Sequence, residues 1–589
     1  MYRSIELQIS LKIKAKMNKK QFFKRALIFV LLSITFACNN NSGSSLDKDP
    51  VLSQKKDLPV QGGELRLMES EIFSNLLPYS IEENVGYRIT TQIHNSLLKM
   101  NPRNLNIEPC VARSWEVNDQ QTKYTFHLRN NIYFHSDNCY KTKEDRKLKS
   151  TDVVFTFELL CKQFYNSGYN LLLNNLIGAK DFYNKNSNSI SGLNIIDDST
   201  LVFELIEPAP SIIYLLASTK TAIISELAFE KYGPNITVGC GPFKYNGLNK
   251  DSSTIHLIKN KSYFLDDKYG NSLPYLDSVT IMINGSKQRA TELFERNEIM
   301  VLYDITENKV EELFELFHQK FDAKDFIVDR KSIMGTDCYQ FNLSKAPFNN
   351  SSVRKAFAHA INKNSIIENI LNGQARQGNK GIIPIVDAFN NYNYDTINGY
   401  DYNPEKARKM LTNAGYPNGK GFPEVVLEIG LGHQTQIEAA KEVQNQLQNN
   451  LNISITIEQE KMTSLIKRAA TGEAQMTHFT WLSEYPSPID FLNLFYGANN
   501  PKNSSDYIWP NVTRFDNNKY NNILEKALVT SDLKERYRLY ADAETVLMKE
   551  APLIPLWYPE VYNIIHGYVK NLHFNEMLHF DYSEVYLSK

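Results

Sequence analysis

Chemistry in a chain of 589 residues begins with its thiols and imidazoles, and here they are few: six cysteines and 11 histidines. Cys110, Cys139, Cys161, Cys240 and Cys338 are scattered, with no C-x-x-C pair and no metal-ligand spacing. Their odd number leaves at least one free thiol; they read as small buried residues, with one disulfide an open option. The histidines are dispersed, and His573 and His579 lack the spacing that puts two imidazoles on one ion. The chain has no H-E-x-x-H, no G-x-S-x-G elbow and no phosphate-binding loop. A hydrolase is therefore disfavoured, and neither metal nor cofactor is expected.

The sixth cysteine has a different setting. Lys12, Lys14, Lys16, Lys19, Lys20, Lys24 and Arg25 precede an apolar run over residues 26–37. At 12 residues that run is too short to cross about 30 Å of hydrocarbon. It has the length and flanks of a signal-peptide core, so residues 1–37 read as a signal peptide, with Met17 a plausible true start. Ile34-Thr35-Phe36-Ala37-Cys38 resembles a bacterial lipobox, although Thr35 stands where Leu is usual. The chemistry expected of Cys38 is acylation of its thiol. Residues 38–59, opening with Asn39-Asn40-Asn41-Ser42-Gly43-Ser44-Ser45, then serve as a flexible tether. The expected location is the periplasmic or cell-surface side of the membrane, held there by lipid.

The elements behind these residues are those of a mixed α/β protein. Hydrophobic residues make up 42% of the chain and charged residues 22%, an ordinary globular balance. A net charge of −1 offers no basic surface for nucleic acid. Alternation predicts strands over 64–68, 124–128, 200–205, 254–258, 278–283 and 453–457, with a turn at Asp197-Asp198-Ser199. Apolar spacing predicts a helix capped by Ser351 or Ser352, and others over 436–448 and from about 532 to 549. Asn403-Pro404 opens another, which stops at Gly415. Two α/β lobes fit this order better than one continuous sheet.

A set of ordered motifs goes further. Ala112-Arg113-Ser114-Trp115-Glu116, Tyr124-Thr125-Phe126-His127-Leu128-Arg129, Phe134-His135 and Thr151-Asp152-Val153-Val154-Phe155 follow one another. Gly239-Cys240-Gly241-Pro242-Phe243, Pro347-Phe348-Asn349, Val353-Arg354-Lys355-Ala356, Asn403-Pro404-Glu405-Lys406-Ala407 and Ala414-Gly415-Tyr416 come after them. In order and spacing this resembles family 5 of the bacterial extracellular solute-binding proteins, the oligopeptide- and dipeptide-binding group, over nearly the whole chain from Gly62. Cys240 takes the place of a usual Thr, and Leu77-Pro78 that of a usual Asp-Pro.

The resemblance implies a two-lobed periplasmic binding protein fold, type II, of the three-domain peptide-binding subclass, with a hinged ligand cleft. Domain I would comprise 60–98, 215–304 and 559–589, domain II 99–214 and domain III 305–558, with ligand between domains I and III. Trp481-Leu482-Ser483-Glu484-Tyr485 resembles the segment in which an Asp meets the ligand's α-ammonium; Glu484 holds that place here, flanked by Trp481 and Tyr485. His478 falls where an Arg meets the peptide carboxylate, with a purely structural His as the alternative. Lys461 falls on a pocket position, facing either a ligand carboxylate or solvent. Glu82 aligns with an acidic pocket residue of domain I. The implied function is capture of short peptides by a monomeric receptor for an ABC importer with permease and ATPase subunits. Nickel chelates, haem, sugars or opines are the alternative cargo, since fold does not fix ligand; an accessory binder without a transporter is a further alternative.

Overall fold

In the computed structural model, residues 58–588 are described, apart from 70–72, 74, 82, 165–174, 250–252, 284–285, 304, 306–325, 499, 502 and 504–505. The expected signal peptide, Cys38, most of the tether and Glu82 lie outside the described residues. No helix among the described residues is long and apolar enough to cross a membrane.

Among the described residues, three larger sheets and three large hydrophobic cores organise the fold, beside two two-stranded pairs and three smaller clusters. The first has four strands: Glu64–Met68 runs parallel to Ser278–Met282, and Thr254–Lys259 and Phe243–Leu248 follow antiparallel. Helix Asn84–Ile93 packs beside this sheet through Val85, Ile89 and Ile93, all fully buried. The second sheet orders Ala112–Val117, Lys123–Leu128, Thr200–Glu204 and Leu193–Asp197, every neighbour antiparallel. Asp197 Oδ1 accepts from the Ser199 N–H at the predicted turn.

The third sheet is the largest, with eight strands. Its spine is the 14-residue strand Leu553–His566. That strand pairs with Val301–Leu302, Phe326–Ser332, Gly335–Phe341 and Ala375–Gln377, and runs through position 559, where the last segment of domain I is expected to start. Beyond Gly335–Phe341 lie Met476–Leu482, Val426–Gly430 and Thr456–Glu460, the last three mutually parallel. Parallel strands need crossovers, here the helices Gln434–Leu451 and Met462–Ala470. Fold class is therefore as expected: mixed α/β with two lobes.

Several predicted elements shift at their ends. The Ser351–Ala360 helix is capped one residue earlier, by Asn350, whose side chain accepts the Ser352 N–H at 2.9 Å; Asn competes with Ser for this place on equal terms. Asn403 caps Pro404–Asn413 as predicted, accepting the Lys406 N–H at 3.0 Å, and Gly415 follows with a φ of +97°. The 453–457 strand moves to Thr456–Glu460: Ile453 and Ile455 are buried but lie ahead of the paired segment. All five described cysteines are free thiols, four of them buried.

The motifs that carried the resemblance join segments far apart in sequence. The Gly239-Cys240-Gly241 turn lies against the end of helix Asn84–Ile93, where a Cβ on Gly239 would come within 2.1 Å of the Ile93 carbonyl oxygen. His135 closes the same joint, its N–H donating to Gly239 O at 2.7 Å and its Nε2 lying 3.0 Å from Gly241 O. Arg354 is buried and donates to the carbonyls of Phe348, Glu550 and Ala551.

Candidate functional site

The three parallel strands of the third sheet run the same way, two of them ending level at Gly430 and Glu460 and the third extending further, to Leu482. In open α/β sheets ligands collect beyond such carboxyl ends. The chain leaving the last of them forms a tight loop from Trp481 to Asp490. Asp490 Oδ2 accepts the Trp481 indole N–H at 3.0 Å and the Glu484 backbone N–H at 3.1 Å. Ser483 Oγ lies 3.1 Å from the same oxygen and 2.6 Å from the Tyr485 carbonyl. The Ser483 N–H ties the loop back to Met334 O at 2.8 Å.

Asp490 is buried, 7% exposed, at the start of the short Ile489–Leu492 helix. Burial, and after it the charge of Glu484, push its carboxyl up to about 7. Glu484 is exposed, so the loop presents one carboxylate to solvent and keeps a second beneath it. Tyr485 is half-buried and stacks on Tyr214 of helix Ile212–Leu216, with ring centroids 6.0 Å apart and planes 18° apart. This stack joins the loop to the chain segment that follows the second sheet.

The other residues singled out from sequence fall at different depths. His478 is buried inside the sheet: its Nε2 lies 3.0 Å from Asp337 Oδ1, which also accepts the Thr480 hydroxyl at 2.8 Å. Three positions from Trp481 on one strand, His478 points to the opposite face. Lys461 is exposed and precedes helix Met462–Ala470 at the end of the edge strand Thr456–Glu460. One strand separates it from the Trp481 strand, a spacing of roughly 10 Å. Leu431, Met462 and Leu482 are exposed along this edge and give it an apolar rim. Glu82 lies outside the described residues; after it, Glu83 precedes helix Asn84–Ile93 and keeps Oε2 buried with no hydrogen bond.

Sequence reasoning passed over Asp490 and a second buried carboxylate. Glu69 receives Arg88 through two contacts, Nε–Oε1 at 2.9 Å and Nη2–Oε2 at 2.6 Å. The guanidinium also lies 5.3 Å from the ring centroids of Tyr303 and of Phe580. The available signal for Asp490 was an acid inside the otherwise apolar Ile489-Asp490-Phe491-Leu492 run. Glu69 and Arg88 carry no comparable signal, because the fold alone brings them together.

A cavity of about 70 Å³ lies elsewhere, beside helix Asn84–Ile93, lined by Tyr87, His94, Asn95, Lys99, His579 and Asp581 among others. It shares no residue with the Trp481–Asp490 loop. Neither ring nitrogen of His94 has a hydrogen-bond partner, and burial pushes that imidazole down to about 3. Space of this size suits a few water molecules.

Comparison with known proteins agrees with the fold. The family described as "Bacterial extracellular solute-binding proteins, family 5 Middle" matches residues 106–503. Heme-binding protein A of Haemophilus influenzae is 26% identical over 81% of this chain and 84% of its own length. The Dipeptide-binding protein of Escherichia coli is 23% identical over 81% of this chain and 86% of its own. The structure of DppA from Helicobacter pylori, in complex with peptide STSA, superposes with a TM-score of 0.69 at 26% identity, covering 90% of this chain and 99% of that one. HbpA2 from Haemophilus parasuis gives a TM-score of 0.72 at 21% identity, over 90% and 100% of the two chains.

Proposed function

Since the chain belongs to family 5 of the bacterial extracellular solute-binding proteins, we propose that it is the receptor of an ABC importer that captures short peptides outside the inner membrane. It is a binding protein, and no bond-making or bond-breaking step is assigned to it. The observation that carries the reading is the Trp481–Asp490 loop: a rigid turn at the carboxyl edge of a parallel sheet that holds Glu484 out to solvent. A desolvated ammonium needs a counter-charge, and Glu484 supplies one. Trp481 and Tyr485 flank it. Lys461, on the same edge, would face the ligand's carboxylate side, Glu82 would approach from the first lobe, and His478 would act through the strand beneath.

In this reading a peptide lies extended along the edge, held through its backbone as an added strand would be. Hinge closure then favours the liganded state by its extra contacts. The working division is domain I at 60–98, 215–304 and 559–589, domain II at 99–214 and domain III at 305–558. The N-terminal assignment is a signal peptide over 1–37 and a lipid on Cys38, with residues 38–59 as tether to a membrane carrying permease and ATPase subunits. The protein is assigned as a monomer.

Similarity to a protein named for haem binding keeps one second reading, a non-peptide solute in the same cleft. Native mass spectrometry of the protein purified without its anchor, followed by denaturation, separates the two. A ladder of short peptides of mixed sequence is expected. Release of a single non-peptide species, or an empty cleft indifferent to peptide libraries, would overturn the peptide assignment.

A further inference from the structure

The loop holds two carboxylates where capture of an ammonium needs one. Asp490 offers no accessible surface comparable to that of Glu484, so it is not the contacting group. Its Oδ2 gathers the Trp481 indole N–H, the Glu484 N–H and the neighbourhood of Ser483 Oγ within 3.0–3.1 Å. Those contacts hold Glu484 and the residues before it, and Ser483 Oγ reaches on to the Tyr485 carbonyl after it, which leaves the Glu484 backbone little freedom.

The groups around Asp490 make its charge dependent on what sits above it. From its own loop, burial and Glu484 act on it, the Trp481 and Ser483 side chains and the Glu484 N–H oppose them, and Asp490 in turn raises the Tyr485 hydroxyl. Helix Leu533–Glu550 brings Tyr540 to Tyr485 and Ser487, while Arg536 of that helix acts on Tyr214 and Tyr540. Tyr214 of helix Ile212–Leu216 covers Tyr485. Among the described residues no ion pair involves Asp490 or Glu484. The pair therefore holds two acids with no resident counter-ion, an arrangement in which ionising one suppresses the other.

We infer that Asp490 is the positioning residue of this cation site: it fixes the Glu484 backbone through its donors, and it gives up a proton to solvent when a cationic group docks on Glu484. The inference rests on the reading of Glu484 as the ammonium partner. The proton balance is simple. Without ligand, a carboxyl near 7 is about half protonated at neutral pH. An added cation within about 4–6 Å lowers a carboxyl by about 1–3 pH units and leaves it ionised. Asp490 then releases about half a proton per ligand at pH 7 and almost none at pH 9.

Isothermal titration calorimetry of the whole mature protein with a mixture of di-, tri- and tetra-alanine reads this directly. Binding enthalpies at pH 7 in phosphate and in Tris give the proton count from their difference. The expected result is a release about 0.5 proton per ligand larger in the wild type than in Asp490→Asn at pH 7, a difference that vanishes at pH 9, where both proteins take up a proton because the peptide's α-amine, with a pKa of about 8, docks as an ammonium; Asn keeps an acceptor oxygen for the Trp481 indole. Should Asp490→Asn not fold, Glu484→Gln on the exposed side chain serves instead, and its proton release is expected to fall well below that of the wild type. Binding heat that is equal in both buffers at pH 7 overturns the inference and leaves the peptide reading standing. Undiminished release by Asp490→Asn overturns it as well. No binding heat with any of the peptides removes the reading of Glu484 and the inference with it.

Discussion

Replacing Glu544 with Gln should change how stability responds to pH. Glu544 is 0% exposed on helix Leu533–Glu550, the helix that also carries Tyr540 toward the site. Its oxygens accept the Tyr392 hydroxyl at 2.6 Å and the Ile383 N–H at 2.9 Å. Burial, the dominant cause, raises its carboxyl from 4.5 to about 7. A folded-state value above the unfolded one means the folded chain holds the proton longer. Glu544 is thus harmless below about 4.5, and stability is lost as pH rises from there to about 7. At about 1.4 kcal/mol per pH unit, that interval corresponds to about 3 kcal/mol. Gln keeps one acceptor oxygen and adds an amide that needs a partner, at a cost of about 1–3 kcal/mol that does not vary with pH. At about 2.1 cal/mol/K of unfolding entropy per residue, the melting-temperature gap between the two proteins should therefore move by about 2–3 °C in favour of Gln between pH 5 and pH 8. Differential scanning calorimetry of both at each pH measures it, and groups common to both, Asp490 included, cancel. A gap that stays constant, or moves toward the wild type, would refute the assignment of a neutral, proton-holding Glu544.

Three further outcomes are expected. Glu484→Gln should weaken a peptide with a free N-terminus about 10- to 150-fold, the worth of a hydrogen bond to a charged group. N-acetylated peptide should be indifferent to the change, and equal losses for both peptides in calorimetry would remove the ammonium contact. Arg88→Met leaves Glu69 buried without its cation and should destabilise the fold by about 3–5 kcal/mol in urea, with Glu69→Gln restoring most of it; a loss under about 1 kcal/mol would count against the pair. Cys38→Ala should shift the protein from the membrane to the soluble fraction, and continued membrane association would sink the lipid assignment.

What could be read from the sequence was local or carried by motif. Asn403 and Gly415 bounded a helix because caps act within a few residues, and Glu64–Met68 was legible because its apolar alternation and its neighbouring glycines agree. Asn350 was missed as a cap because two serines follow it with similar preference. The motif residues Gly239, His135 and Arg354 are joints between segments more than a hundred residues apart or at a strand-to-helix turn, which explains why order and spacing identify the family while saying little about ligand. At the site, a Glu after a Trp was visible in the chain. The buried Asp490 beneath it, the Tyr214 ring over Tyr485 and the Arg88–Glu69 pair were not, because each needs tertiary contact before it has a partner. His478 illustrates the converse: the resemblance matched it to a carboxylate-binding Arg, with a structural His as the alternative, and strand alternation sends it to Asp337.

The strand Leu553–His566 has a consequence for biosynthesis. Four strands made much earlier, the first at Val301–Leu302, depend on it for backbone partners. Until more than nine-tenths of the chain has left the ribosome, those N–H and C=O groups have no native mate, and pairing so distant in sequence is slow to form. A nascent polypeptide bound for the far side of the inner membrane has to meet the translocation machinery before its tertiary structure locks. With its keystone encoded last, the largest sheet of this one stays threadable until late in synthesis.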